Sequence, residues 1–431
     1  MSVLVPPSPS LDRNALIARY KANRARSAEI FGFIEAQAYA DRPIPLRHPF
    51  VFYEGHLPAF SYNKLVRAAL GGPSVDPVFE RLFERGIDPA DIAEAGRHTR
   101  EQWPERADVQ RFARACDAAV LDALANADLT DERASPLLER AQAAYAILEH
   151  EEMHHETLLY IVHRLAPARK RPPGVATLAE TAPAATGRVT VGAGRATLGT
   201  RRDAVPFAWD NEFELHAVDV GAFAVDVNNV TNGEWLDFVR AGGPLPDFWI
   251  ERDGGYFLNA AFAEIPLPRT WPVYVTQAQA TAYARWRGGR LMSEPEYHRA
   301  AFGTPGGEER AFPWGDAAPD ARVHGNFDFR RYDPEPVGSS PAGASAWGVH
   351  DLIGNGWEWT STPFAPFAGF VPLPSYPEYS ADFFDGAHFV VKGASPVTAA
   401  GLVRRSFRNW YRPEYPYVYA TFRVAYDELI P

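Results

Sequence analysis

Apolar residues recur at spacings of three and four through LDRNALIARYKANRARSAEIFGFIE, which predicts a helix over 12–40 with one buried face. Ser10 and Asp12 stand near its start, where a first turn needs side-chain acceptors. Segments 57–70, 107–127 and 133–165 continue in the same style, broken by Pro and Gly. Four amphipathic helices in a row predict an antiparallel bundle, an architecture that mounts metals on facing helices. The stretch from 166, APARKRPPGVATLAETAPAATG, mixes Pro, Ala and charge without a period and reads as a linker.

The pattern changes from about 188 to short strands, many Gly and Pro, and dispersed Trp. GRVTVGAGRATLGT predicts a hairpin. A helical stretch, TQAQATAYARWR (276–287), runs into GGRLMSEPEYHRAAFG, and GNGWEWTSTPF follows at 354–364. No repeat of fixed period is present. The expected fold class is α+β: a four-helix bundle over 1–166, a linker over 167–187 and a strand-rich domain over 188–431.

Composition narrows the function classes. With 431 residues, 46% hydrophobic and 13% aromatic, the chain can bury at least two cores. No apolar run approaches the ~18 residues of a membrane span. The N-terminal MSVLVPPSPSLDRN has Pro where a signal peptide needs an apolar core. Cys116 is the single cysteine, so no intramolecular disulfide can form, which fits a reducing cytoplasm. A net charge of −11 argues against a general nucleic-acid binder.

The chemistry concentrates in LEHEEMHHETLLY (148–160). His150 and His154, four residues apart on a helix, present both imidazoles on one face and suit one ion. The same letters fit the zinc-peptidase pattern H-E-x-x-H, with Glu151 as general base. The extended motif fails, because residues 157–160 (TLLY, with Leu158 and Tyr160) supply neither its Gly nor its third His, and Glu180 falls in the linker. A di-iron site needs a second E-x-x-H, and residues 1–147 contain none. A mononuclear site with a third ligand from the bundle remains, and His48, His56 and His98 are the candidates. Three neutral imidazoles on iron(II) leave about three positions for substrates and dioxygen.

Taken together, these features resemble the ergothioneine and ovothiol sulfoxide synthases and their selenoneine-forming relatives. In that family a DinB-like bundle precedes a domain of the formylglycine-generating-enzyme, C-type-lectin-like fold. FYEGHLPAFSYNKL, H-x-x-x-H-x-E at 150–156, GGRLMSEPEYHRAA, GNGWEWT, FRNW (407–410) and TFRVA (421–425) carry the resemblance in order, over nearly the whole chain. It implies His56, His150 and His154 as ligands of Fe(II), with Glu156 closing the motif. It also implies hercynine, a thiol or selenol, and dioxygen as substrates, joined by oxidative C–S or C–Se bond formation. YPEYS (376–380) resembles the segment that supplies the family's proton-donating Tyr, which implies Tyr376 as catalytic and Tyr379 as a substrate contact. Trp410, Phe407 and Tyr379 are candidates to face a trimethylammonium group, which accepts no hydrogen bond.

Relatives that use γ-glutamylcysteine carry Asp after the FRNW-like Trp and Arg four positions later. Here those positions read Tyr411 and Tyr415, GASP (393–396) replaces the usual GGSW, and Met153 precedes His154 where some relatives have Gln. Losing an acid and a base removes the grip on a charged dipeptide. Two phenols suit a neutral ring such as a sugar. The expected second substrate is therefore a selenosugar, as in selenoneine synthesis, with γ-glutamylcysteine or cysteine as the alternative.

Overall fold

The computed structural model describes residues 11–84, 103–174 and 186–429. Ser10, His98 and Glu180 lie outside the described residues. Two compact units are present. The first takes in the chain to Pro173 together with Arg202–Phe207 and Leu373–Tyr376, and the second the remainder.

In the first unit, α1 (Arg13–Gly32) starts on Asp12, whose carboxylate accepts from the Ala15 N–H at 3.0 Å. It stops short of the expected residue 40 because Phe33 turns and Ile34 pairs with Lys170, a distant partner no helical period can register. Helix α2 (Phe50–Ser61) begins ahead of the expected 57: all twelve residues are buried, so its polar–apolar period vanishes. It continues as a π-helix over Tyr62–Ala69, a form concentrated at functional sites. Helix α3 (Pro77–Leu82), capped by Asp76, is too short for its pattern to have been seen.

Helix α4 (Arg106–Asn126) lies where expected. The expected 133–165 helix divides: Pro136–Ala141 is a 3₁₀ turn with Arg140 (φ 53°) and Ala141 (φ 58°) left-handed, and α5 (Gln142–His163) follows. Arg13 donates to the Leu124 carbonyl at 2.9 Å and Tyr20 to Asp117 at 2.8 Å, so α1 and α4 run antiparallel. Helix α2 packs on α4 and α5, and α1 on α5. Among the described residues no helix is long and apolar enough to cross a membrane.

The second unit is strand-rich. Strands β1 (Arg188–Val191) and β2 (Gly194–Leu198) do not form the expected hairpin. Instead β2 pairs with β3 (His216–Val220) and β1 with β4 (Phe223–Asp226), because each apolar edge finds a longer-range antiparallel partner. Strands β5 (Trp249–Arg252), β6 (Gly255–Asn259) and β7 (Glu264–Pro266) form a meander. The largest sheet has the order β10-β9-β8-β11, from β8 (Gly356–Pro363), β9 (Phe389–Ala394), β10 (Asn409–Tyr411) and β11 (Ala420–Thr421). Strand β12 (Ala425–Tyr426) returns to β4.

Helices α6 (Asn232–Arg240), α7 (Gln277–Trp286) and α8 (Glu294–Phe302) each open on a reciprocal capping box. The motifs that carried the resemblance meet pairwise as buried ion pairs. Glu294 of α8 takes Arg408 at 2.9 and 3.1 Å, and Glu358 of β8 takes Arg423 at 2.7 and 3.0 Å. All four side chains are buried, so removing one partner strands a charge at a cost of about 3–5 kcal/mol.

Asp351, just before GNGWEW, accepts from the Gly338 N–H at 2.7 Å and holds φ 52°. Burial pushes its carboxyl up to about 6, against the opposing pull of that N–H and of Arg423. With the folded value above the unfolded one, this group's contribution is complete below about pH 4 and is lost as pH rises to about 6. Asp351→Asn keeps an acceptor and tolerates the left-handed backbone. Urea titrations of both proteins from pH 4 to 7 should show the variant gaining stability relative to wild type, by on the order of 3 kcal/mol at neutral pH. Parallel curves across that range would refute the assignment.

Candidate metal centre

His150 and His154 sit one turn apart on α5, with ring centroids 4.4 Å and Nε2 atoms 3.1 Å apart. His56 of α2 faces both, its ring 5.1 Å from each. The three candidate ligand nitrogens lie within 4.8 Å of one another, close to the span bridged by one ion at about 2.0–2.1 Å from each imidazole. His56 Nδ1 donates to the Phe83 carbonyl at 2.8 Å, which leaves Nε2 with its lone pair. The Nδ1 atoms of His150 and His154 are buried without a hydrogen-bond partner among the described residues.

Burial lowers the pKa of all three rings, His56 to about 4 and the other two well below the usual imidazole value. The His150 pKa is lowered further by His154, His56 and Lys64, and that of His154 by His56 and Arg47. At neutral pH the cluster therefore offers three lone pairs converging on one point, a donor set that fits a divalent transition metal. No carboxylate belongs to this cluster among the described residues.

Aromatic rings wall the cluster. Phe60 stacks on His150 at 3.4 Å and 5°, and Phe52 on His56 at 4.9 Å. Tyr376, carried by the Leu373–Tyr376 segment of the same unit, lies 5.4 Å from the Phe60 ring and 6.3 Å from the His150 ring. The Lys64 Nζ is 5.1 Å from the Tyr376 centroid. Phe60 was not singled out in the sequence, although its spacing of four from His56 would have found it. The Phe83 carbonyl left no signal, being a backbone atom 27 residues away.

The other candidates face elsewhere. His48 stacks on Phe52 at 4.1 Å, and His155 Nε2 meets Ser27 Oγ at 2.9 Å. Glu156 accepts from the Tyr160 hydroxyl. Glu151 stands about 100° around the helix from His150 and accepts from Ser27 and Arg24 of α1, each at 2.6 Å. Burial would raise its pKa, but Arg24 and His155 outweigh that and hold it at about 2. The zinc-hydrolase alternative thus loses its general base, because Glu151 is committed to α1.

In the second unit Tyr379 stacks on Trp209 at 4.0 Å and meets Trp410 edge-on at 5.4 Å. Trp410 lies parallel to Phe364 at 4.1 Å. Phe407 is apart from this group, buried against Trp357 at 6.1 Å. Tyr411 and Tyr415 stack in parallel at 5.6 Å and 6°, with Tyr417 edge-on to Tyr415 at 5.1 Å.

A helical unit bearing a three-histidine cluster and a strand-rich second unit define a two-domain class. Residues 19–158 match the DinB superfamily, and residues 175–428 match the sulfatase-modifying factor enzyme 1-like domain. The hercynine oxygenase of Mycolicibacterium thermoresistibile is 34% identical over 99% of this chain and 96% of its own. That of Mycolicibacterium smegmatis is 36% identical over 65% of this chain and 71% of its own. The formylglycine-generating enzyme of Mycobacterium tuberculosis is 30% identical over 37% of this chain and 69% of its own. The chain belongs to the ergothioneine sulfoxide synthase family, and it is an oxygen-dependent enzyme.

Replacing His56, His150 or His154 by Ala should each lower metal content after reconstitution and abolish turnover. His48→Ala and His155→Ala should retain the metal, since both rings point outside the cluster. Metal analysis of the five proteins checks this, and a metal-replete, active His56→Ala protein would remove that residue from the site.

Proposed function

We propose that the protein holds iron(II) on His56, His150 and His154 and oxidatively joins hercynine to a selenosugar, in the manner of a selenoneine synthase. The observation that carries the metal reading is the convergence of three uncharged imidazoles, two buried and one half-buried, beside a phenol. Iron(II) held there supplies the activation of dioxygen. Overall, the imidazole C–H and the Se–H hydrogens leave as water with one oxygen atom. The second oxygen remains on selenium. An anionic selenolate or thiolate suits a ligand set that brings no negative charge of its own. The chain's contribution is to hold both partners together in a walled site, which removes the entropy of their encounter.

Tyr376 is proposed as the proton donor to the reacting centre. Its ring packs beside Phe60 and His150, with the Lys64 Nζ 5.1 Å from its centroid, which places a phenol at the edge of the cluster. Tyr376→Phe should retain fold, metal and hercynine binding while slowing or diverting bond formation, by about 10²–10⁴-fold for a lost general acid. A product with selenium or sulfur oxidised but not joined to the ring would support the role. An unchanged rate and product ratio would exclude it.

Trp410 and Tyr379, with Trp209 and Phe364 behind them, offer aromatic faces for a trimethylammonium group. Phe407, the third aromatic candidate, packs against Trp357 apart from those rings. For the second substrate, the stacked Tyr411 and Tyr415 stand where dipeptide-using relatives have Asp and Arg, and parallel phenols suit a sugar ring. The alternative is an ergothioneine-type reaction with γ-glutamylcysteine or cysteine, favoured by the kinship to hercynine oxygenases.

Anaerobically reconstituted protein, given hercynine with each donor and then air, should yield mainly the selenosugar product by mass. A charged group left unpaired in a pocket costs several kcal/mol, enough for about a hundredfold preference or more. Tyr411→Asp with Tyr415→Arg should weaken selenosugar use and gain activity with γ-glutamylcysteine. Wild-type use of γ-glutamylcysteine at least equal to the selenosugar would overturn the donor assignment and leave the iron site standing.

A further inference from the structure

Gly55 directly precedes His56 on the fully buried α2. A Cβ built there would stand 2.6 Å from three atoms of the Phe83 ring. That ring cannot readily retreat, being fully buried between Phe79 at 5.6 Å, Phe112 at 6.0 Å and Phe52 at 6.2 Å. Phe83 is the C-cap of α3, and the carbonyls that end a helix have no partner within it. Here the Phe83 carbonyl is taken by the His56 Nδ1–H at 2.8 Å.

We infer that Gly55 is a positioning residue for the metal centre: its missing side chain lets Phe83 close on α2, and the Phe83 carbonyl then fixes the His56 ring with Nε2 directed into the cluster. Three observations converge on this. The close approach exists only without a Cβ, and the ring that makes it belongs to the residue whose carbonyl accepts from His56. His56 alone of the three histidines has a partner on its far nitrogen among the described residues. His150 and His154 need less help, because they share one helix, with Phe60 stacked on His150 and Tyr53 packed against His154. His56 comes from a different helix, and its tautomer and ring angle must be set locally. A hydrogen bond to the far nitrogen also raises the basicity of the ligating one.

The inference rests on the three-histidine metal reading, and the test separates the two. Full-length metal-free protein is titrated with cobalt(II), followed by calorimetry and by the cobalt ligand-field spectrum. His56→Ala reports on the metal reading: binding and spectrum equal to wild type would sink that reading. Gly55→Ala should fold, yet bind cobalt(II) about 10–100-fold more weakly, with an altered spectrum, as expected for a lost outer-shell partner. Phe83→Leu added to Gly55→Ala removes the ring atoms that a methyl would strike while keeping the carbonyl. That double variant should recover most of the lost affinity and the native spectrum. The inference is overturned by a Gly55→Ala protein that binds cobalt(II) like wild type while His56→Ala does not. It is equally overturned by a folded double variant that binds as weakly as His56→Ala, whether or not the single variant folds.

Discussion

The first unit turns on how α5 can be buried while carrying four glutamates and three histidines between 149 and 156. A carboxylate with no partner in such a place costs several kcal/mol, so the helix is tenable only if α1 neutralises it. Arg19 takes Glu152 at 2.7 and 2.6 Å, and Arg24 takes Glu151. Ser27 bridges Glu151 and His155. With the acidic face answered by α1, the face a quarter-turn away is free to present His150 and His154 as bare lone pairs towards α2.

Charge is thereby separated from the metal cluster. Glu149, Glu151 and Glu152 are held by or beside arginines and Glu156 by the Tyr160 hydroxyl, while the three imidazoles are packed against aromatic rings and one another, with no carboxylate in the cluster among the described residues. A neutral, walled ligand set leaves a bound cation uncompensated, so an anionic partner gains more there than at a site already carrying a carboxylate. The second unit handles charge in the opposite way. Its buried Glu294 and Glu358 are paired with Arg408 and Arg423, and the faces proposed to meet a cation, Trp410 and Tyr379, are uncharged aromatic rings.

Much of this was legible in the sequence, for physical reasons. Helix α4 and the capped helices α7 and α8 follow from period and from Thr or Ser followed by Gln or Glu three residues later. His150 and His154 follow from the four-residue spacing, and the two-domain order from the change in texture near 188. The start of α2 was not legible, because a helix buried all round has no polar face to mark it. The β1–β2 hairpin expectation failed because local alternation says nothing about which strand will be the partner. Composition did not tell His56 from His48; the resemblance favoured His56, and the pairing of α2 with α5 is the physical reason that it faces the other two. The Gly55 contact depends on a ring 28 positions away, which no local pattern encodes.

The chain returns to the first unit with Leu373–Tyr376, long after the helices that bear the histidines have ended. The three imidazoles and the phenol beside them are therefore encoded on opposite sides of the linker. A gene fragment stopping at the linker would specify the cluster without Tyr376. Chimeras that trade second domains between relatives would exchange this tyrosine along with Tyr379 and Trp410. Recombination at the linker would thus separate the histidine cluster from the tyrosine packed beside it, and the two halves are constrained to diverge together.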